Sequence, residues 1–181
     1  SFAQAATKDT PLKVTRTDNG VIVHRWMMNV EPAPFYKKIV EFDGNCDRLQ
    51  HYEVRYPAHA LIRAVFTPAG TGGPDGTLDE RTFVMDSYNF MTPVNERETR
   101  YYWFQLRNVR PQDAELSKMM AHDVRNAFSE DNAVLEEVQV GMTHKTSPHI
   151  DLSIDAGQLR FRRQLEAMIA EEQMVDEKMR A

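Results

Sequence analysis

The hydrophobic pattern of this chain changes period near Pro111, and that switch constrains the fold more than any other feature. Before it, short segments rich in Val, Ile, Tyr and Phe alternate apolar and polar residues, the pattern of half-buried strands. After it, Leu116, Met120, Val124, Ala127, Phe128, Val134, Leu135 and Val138 recur at three- and four-residue spacing, which predicts one long amphipathic helix. Strands that run first and helices that run last make an α+β domain with an antiparallel sheet, because no helix lies between strands to carry a parallel crossover.

The strand half can be divided further. "LKVTR" and "GVIVHRWMMN" flank Asp18, Asn19 and Gly20 and read as a hairpin. Residues 30–49 hold several prolines and Gly44, and read as a loop with one helical turn around Phe35, Tyr36, Ile39 and Val40. "HYEVRYP", "HALIRAVFTP", "TLDERTFVMDSYNFMTP" and "TRYYWFQLRNVR" supply the remaining strands, the last two joined through Pro93, Val94 and Asn95. The connector "AGTGGPDG" holds half of the eight glycines, yet it lacks the Gly-Lys-Ser/Thr ending of a phosphate loop and no helix pattern follows it. It reads as a hairpin connection. A second helix follows Asp155, with Phe161, Leu165, Met168, Ile169 and Val175 on one side. With 181 residues, one domain spanning 1–181 is expected.

Charge and cysteine usage exclude several classes. A net charge of −5 argues against a nucleic-acid surface. No apolar run approaches the roughly 20 residues of a membrane span. The lone Cys46 leaves no disulfide framework, thiolate zinc site or Cys-ligated cluster within the chain, and fits a cytoplasmic location.

Within the long helical pattern, "AFSEDNAVLEEV" places Asp131 among apolar positions: Ala127, Phe128, Val134 and Leu135 lie three or four residues away. A carboxylate buried in such a stripe must be paired, protonated or bound to a metal. Either the stripe is narrower than its periodicity suggests, or an arginine such as Arg63 or Arg107 pairs with Asp131; the alternative is a metal ligand facing a pocket.

"FSEDNAVLEEVQ" resembles the helix that carries the aspartate ligand in the catalytic domain of Rieske non-heme iron oxygenases, in particular the vanillate O-demethylase oxygenase type. "MTPVNERETRYYWFQLRNVRPQDAEL" is similar to the family's paired strands, "LSIDAGQLRFRRQLEAMIAEEQ" to its final helix, and "VIVHRWMMNVEPAPF" to its early strand and Pro-rich connector. The resemblance implies a helix-grip fold of the Bet v 1/START kind, with a curved antiparallel sheet wrapping the long helix over a substrate cavity and a second helix at the C-terminus. It implies that Asp131 is the carboxylate of a two-His, one-carboxylate site for mononuclear Fe(II), a facial triad that leaves positions open to O₂.

The same resemblance implies NADH electrons delivered through a reductase or ferredoxin and a Rieske [2Fe-2S] cluster. It implies hydroxylation or O-demethylation of an aromatic acid, and a homotrimer. The family's two histidine ligands and its Rieske domain precede the aligned part, so the chain reads as the C-terminal portion of a longer oxygenase, inactive as an isolated piece. The competing expectation is a non-catalytic module of the same fold that binds a hydrophobic or aromatic small molecule.

Other candidates are weighed residue by residue. Asn89 stands where family members place a polar side chain into the cavity, or is a strand residue bonded to solvent. Arg63, charged inside an apolar run, is positioned either to meet a substrate carboxylate or to face outward. His144 and His149 share the spacing of the expected ligand pair but lie in a connector where the family has none. His24 and His59 sit in strands and read as structural, and His51 and His122 carry no pattern. Met85, Met91, Met119 and Met120 suit either a pocket or ordinary core filling. Arg107 and Asn108 look structural, and Arg160, Arg162 and Arg163 suit either the docking of a redox partner or, more ordinarily, a solvated helix face balanced by Glu166, Glu171 and Glu172.

Overall fold

The structure is a computed structural model that describes residues 10–144 and 150–180. Its strands are β1 (Lys13–Thr17), β2 (Gly20–Val30), β3 (Cys46–Arg55), β4 (His59–Pro68), β5 (Phe83–Pro93) and β6 (Thr99–Arg107). Its helices are α1 (Pro34–Lys37), α2 (Ala114–Thr143) and α3 (Ala156–Arg180), the last preceded by a 3₁₀ turn at Ser153–Asp155. The chain divides into two compact units, one of residues 1–109 with 153–181 and the other of residues 110–152.

All neighbouring strands pair antiparallel, in the order β1-β2-β3-β4-β5-β6. This overturns the expected curved sheet wrapped around the long helix. The six-stranded sheet is open, with β1 and β6 as its two edges and no pairing between them, and α2 belongs to the other compact unit. Hairpin connections fix which strands are neighbours, but they do not make edge strands curl toward each other.

Directly paired residues share a sheet face, so the register assigns every strand side chain. One row runs Val21, Val54, Ala60, Asn89, Trp103, the next Val23, Tyr52, Ile62, Ser87, Gln105. Next come Arg25, Gln50, Ala64, Met85, Arg107, then Met27, Arg48, Phe66, Phe83. We term this face inner, because α1 and α3 pack on it. Tyr36 of α1 lies 4.2 Å from the Phe66 ring and 6.0 Å from that of Phe83, both fully buried. The Arg48 guanidinium sits over the Tyr36 and Phe66 rings at 5.4 and 4.9 Å, so a 4 % exposed cation is held by aromatic faces. Burial holds the pKa of Arg48 below its usual value and pushes the Tyr36 hydroxyl up to about 12.

α3 approaches the sheet closely at Gly157, where an added Cβ would stand 2.4 Å from Val23 Cγ2. Phe161, one turn on, stacks with Tyr56 at 5.0 Å, and Arg160 donates to the Val14 carbonyl at 3.1 Å. Gly157→Ala forces α3 or Val23 to shift. It is expected to lower stability by about 1–3 kcal/mol, read from denaturant midpoints.

β3 begins at Cys46, five residues before the strand predicted from "HYEVRYP". The polar stretch Asp47, Arg48 obscured it, and both side chains are buried. Asp47 accepts from the backbone N–H of Asn29 (2.8 Å), Gly70 (2.7 Å) and Gly72 (2.9 Å). The glycine-rich connector therefore does cradle an anion, namely the protein's own carboxylate.

α2 starts at the N-cap Asp113, whose side chain accepts from the Leu116 N–H at 2.9 Å. Leu116, Met120 and Val124 are buried, and from Ser129 onward the helix is exposed.

Candidate functional site

The inner face bears a cavity of about 430 Å³ between the sheet and α3. Val21, Val23, Val54, Ala60 and Met91 line its floor, Pro57 and Ala58 one rim, and Gly157 and Phe161 its α3 side. Tyr52 and Gln158 are the polar side chains of this lining. A volume in this range suits a single aromatic ring with substituents.

Asn89 lies in the floor row beside Ala60 and is 2 % exposed. Its amide donates to the carbonyls of Ser87 (3.0 Å) and Ala60 (3.4 Å), and its carbonyl accepts from the Tyr101 hydroxyl at 2.6 Å. It is therefore bonded to protein rather than to solvent, and its orientation is fixed by those partners. Ser87, in the next row, buries a hydroxyl with no protein partner. Sequence reasoning missed Tyr101 and Ser87. The β5–β6 register could have pointed to them, since it puts Tyr101 opposite Met91, two residues from Asn89.

Arg63 is on the outer face, in the row His24, His51, Arg63, Asp86. Its guanidinium grips Asp86 with two bonds of 2.7 Å, and that hydrogen bond raises its pKa. The two-pronged bond expected for a substrate carboxylate is thus made to a neighbouring strand, with the Arg63 side chain 45 % exposed. Asn89 and Arg63 lie on opposite faces and are not brought together. A smaller hollow of about 230 Å³ lies among Arg55, His59, Tyr88 and Phe90, and Asn89 belongs to its lining and not to that of the larger cavity. Elsewhere on the outer face His24 and His51 stack at 6.4 Å, and burial together with His51 lowers the pKa of His24.

Asp131 is exposed on α2, as are Val134 and Leu135 of the same stripe. Among the described residues no three His, Cys, Asp or Glu side chains converge as a metal site. His149 lies outside the described residues, and His144 is the C-cap of α2. Cys46 is buried, donates to the Val30 carbonyl at 3.2 Å, and has its thiol pushed up to about 11, which makes it unreactive at neutral pH.

Residues 1–171 match the family model of the vanillate O-demethylase oxygenase C-terminal domain. The chain is 30% identical over 181 residues to the vanillate O-demethylase oxygenase subunit of Pseudomonas sp. (strain HR199 / DSM 7063), covering 96% of this chain and 50% of that one. It is 27% identical over 136 residues to an iron-sulfur subunit of the toluene-4-sulfonate monooxygenase system of Comamonas testosteroni, covering 75% of this chain and 39% of that one. Among solved structures, dicamba monooxygenase bound to 3,6-dichlorosalicylic acid superimposes with a TM-score of 0.78 at 17% identity, over 93% of this chain and 49% of that one. The chain spans about half the length of the vanillate relatives it matches.

Proposed function

Since the chain belongs to the vanillate O-demethylase oxygenase C-terminal domain family of Rieske non-heme iron oxygenases, we propose that it is the catalytic-domain portion of a monooxygenase that hydroxylates or O-demethylates an aromatic acid of the vanillate type. The observation that carries this reading is the continuous family match over residues 1–171. The inner-face cavity supports it physically. Its apolar floor removes a ring from water, and Tyr52 and Gln158 are the polar side chains of its lining.

The family's iron requires more donors than the described residues bring together. Asp131 is one exposed carboxylate with no second and third ligand converging on it, so these residues do not by themselves make a metal site. What this chain's residues do is bind the ring, orient it and exclude water from one side of it. The remaining features of the reading are Fe(II) held with Asp131 and further ligands, a Rieske cluster, NADH electrons from a reductase or ferredoxin, a homotrimer and a cytoplasmic location.

The test uses the native gene product with its reductase. NADH-dependent O₂ uptake that rises with vanillate and releases formaldehyde is the expected outcome. Iron-loaded protein that consumes no O₂ with any aromatic acid would overturn the proposal.

A further inference from the structure

The inner face of the sheet carries no strand carboxylate among the described residues, because Asp47, Glu53 and Asp86 all fall on the outer face. Its charged strand residues are arginines: Arg16, Arg25, Arg48 and Arg107. A surface lined by charges of one sign attracts ligands of the other.

Of these arginines, Arg25 is placed next to the cavity. It follows Val23 by two residues on β2, and its paired neighbour Gln50 precedes Tyr52 by two on β3; Val23 and Tyr52 both line the cavity. Two residues along a strand is about 7 Å, the length of a ring plus its acid carbon. The guanidinium is half-buried, with Nε donating to Gln50 Oε1 at 2.7 Å and Nη1 to the Thr10 carbonyl at 3.4 Å. Gln50 thereby holds the guanidinium plane on the inner face. Arg48, one row deeper, is sealed between Tyr36 and Phe66 and adds positive potential without reaching the cavity.

We propose that Arg25 recognises the anionic group of the substrate, with Gln50 as its positioning residue, so that the cavity selects aromatic carboxylates or sulfonates over their uncharged analogues. This rests on the oxygenase reading above and deepens it. The ring lies on Val21, Val23, Val54 and Met91, and the acid points along β2 to the guanidinium, where a charge-assisted hydrogen bond forms.

Calorimetric titration of the native gene product with vanillate and with vanillamide, its uncharged isostere, tests this. Vanillate is expected to bind at least about tenfold more tightly, since hydrogen bonds to charged groups are worth roughly that factor or more. Arg25→Gln should weaken vanillate by about 10–100-fold and leave vanillamide within about twofold, with Arg25→Lys between. Toluene-4-sulfonate should follow vanillate. Equal affinities in the unmodified protein, a measurement that needs no variant, would overturn the proposal, as would a preference that survives Arg25→Gln. O₂ uptake with vanillate but no charge preference defeats the role of Arg25 alone. Neither binding nor O₂ uptake defeats the oxygenase reading and this inference with it.

Discussion

On the oxygenase reading proposed above, Asp131→Ala in the native gene product is expected to strip the mononuclear iron, abolish substrate-dependent O₂ uptake and leave the Rieske iron in place. Loss of an outer-shell partner of a metal typically costs about 10–100-fold in affinity or activity, and loss of a direct ligand costs more. The exposure of Asp131 makes the experiment clean. An exposed helix residue with exposed neighbours contributes little to folding, and its replacement by alanine should move stability by no more than about 0.5 kcal/mol. Compared without mononuclear iron, the variant and the unmodified protein should therefore melt together, and a drop in iron then reports ligation. Iron counted by metal analysis, with the cluster followed by its electron paramagnetic resonance signal, separates the two centres. Retention of mononuclear iron in the variant would remove Asp131 from the ligand set.

The second large effect concerns the fold. Asp47→Ala is expected to cost roughly 3–5 kcal/mol, the range for removing one partner from a buried charged network. Asp47 is 1 % exposed, and its two oxygens take the N–H groups of Asn29, Gly70 and Gly72. Those donors belong to the irregularity in β2, where Asn29 has φ 52, and to the connector after β4, where Gly70 has φ +87. Without the carboxylate, three part-buried N–H donors lose their acceptor and two segments that lack ladder bonds lose their tie. Asp47→Asn retains one carbonyl acceptor and should cost less than the alanine variant. Denaturant unfolding monitored at Trp26, whose ring lies near Gly72, reads both. A loss below about 1 kcal/mol for Asp47→Ala would show that the connector is held by other means.

These two carboxylates show why some of the protein could be read in the sequence and some could not. Asp131 drew notice because helical periodicity is local: residues three and four apart share a face whatever the rest of the chain does. Asp47 drew none, since nothing within a few residues indicates that a polar strand start is buried beneath a loop more than twenty residues away. Asn89 and Arg63 show the same division. Strand alternation places each with its i±2 neighbours but does not say which face is covered, and only the packing of α1 and α3 separated the inner Asn89 from the outer, Asp86-bound Arg63. The family, too, was legible, because the order of its segments is a property of the chain.

By itself, then, the sequence determined the α+β class, the hairpin order of the strands, the long helix after Pro111, and the position of Asp131 on it. These follow from period and turn chemistry, which act over a few residues. The tertiary structure decided that the sheet stays open and that Asn89, Tyr101 and Arg25 share its inner face. It also decided that Arg63 faces the other way and that Asp47 closes the glycine-rich connector. Each of these depends on which surfaces are removed from water by segments distant in the chain, and burial is a property of the packed whole.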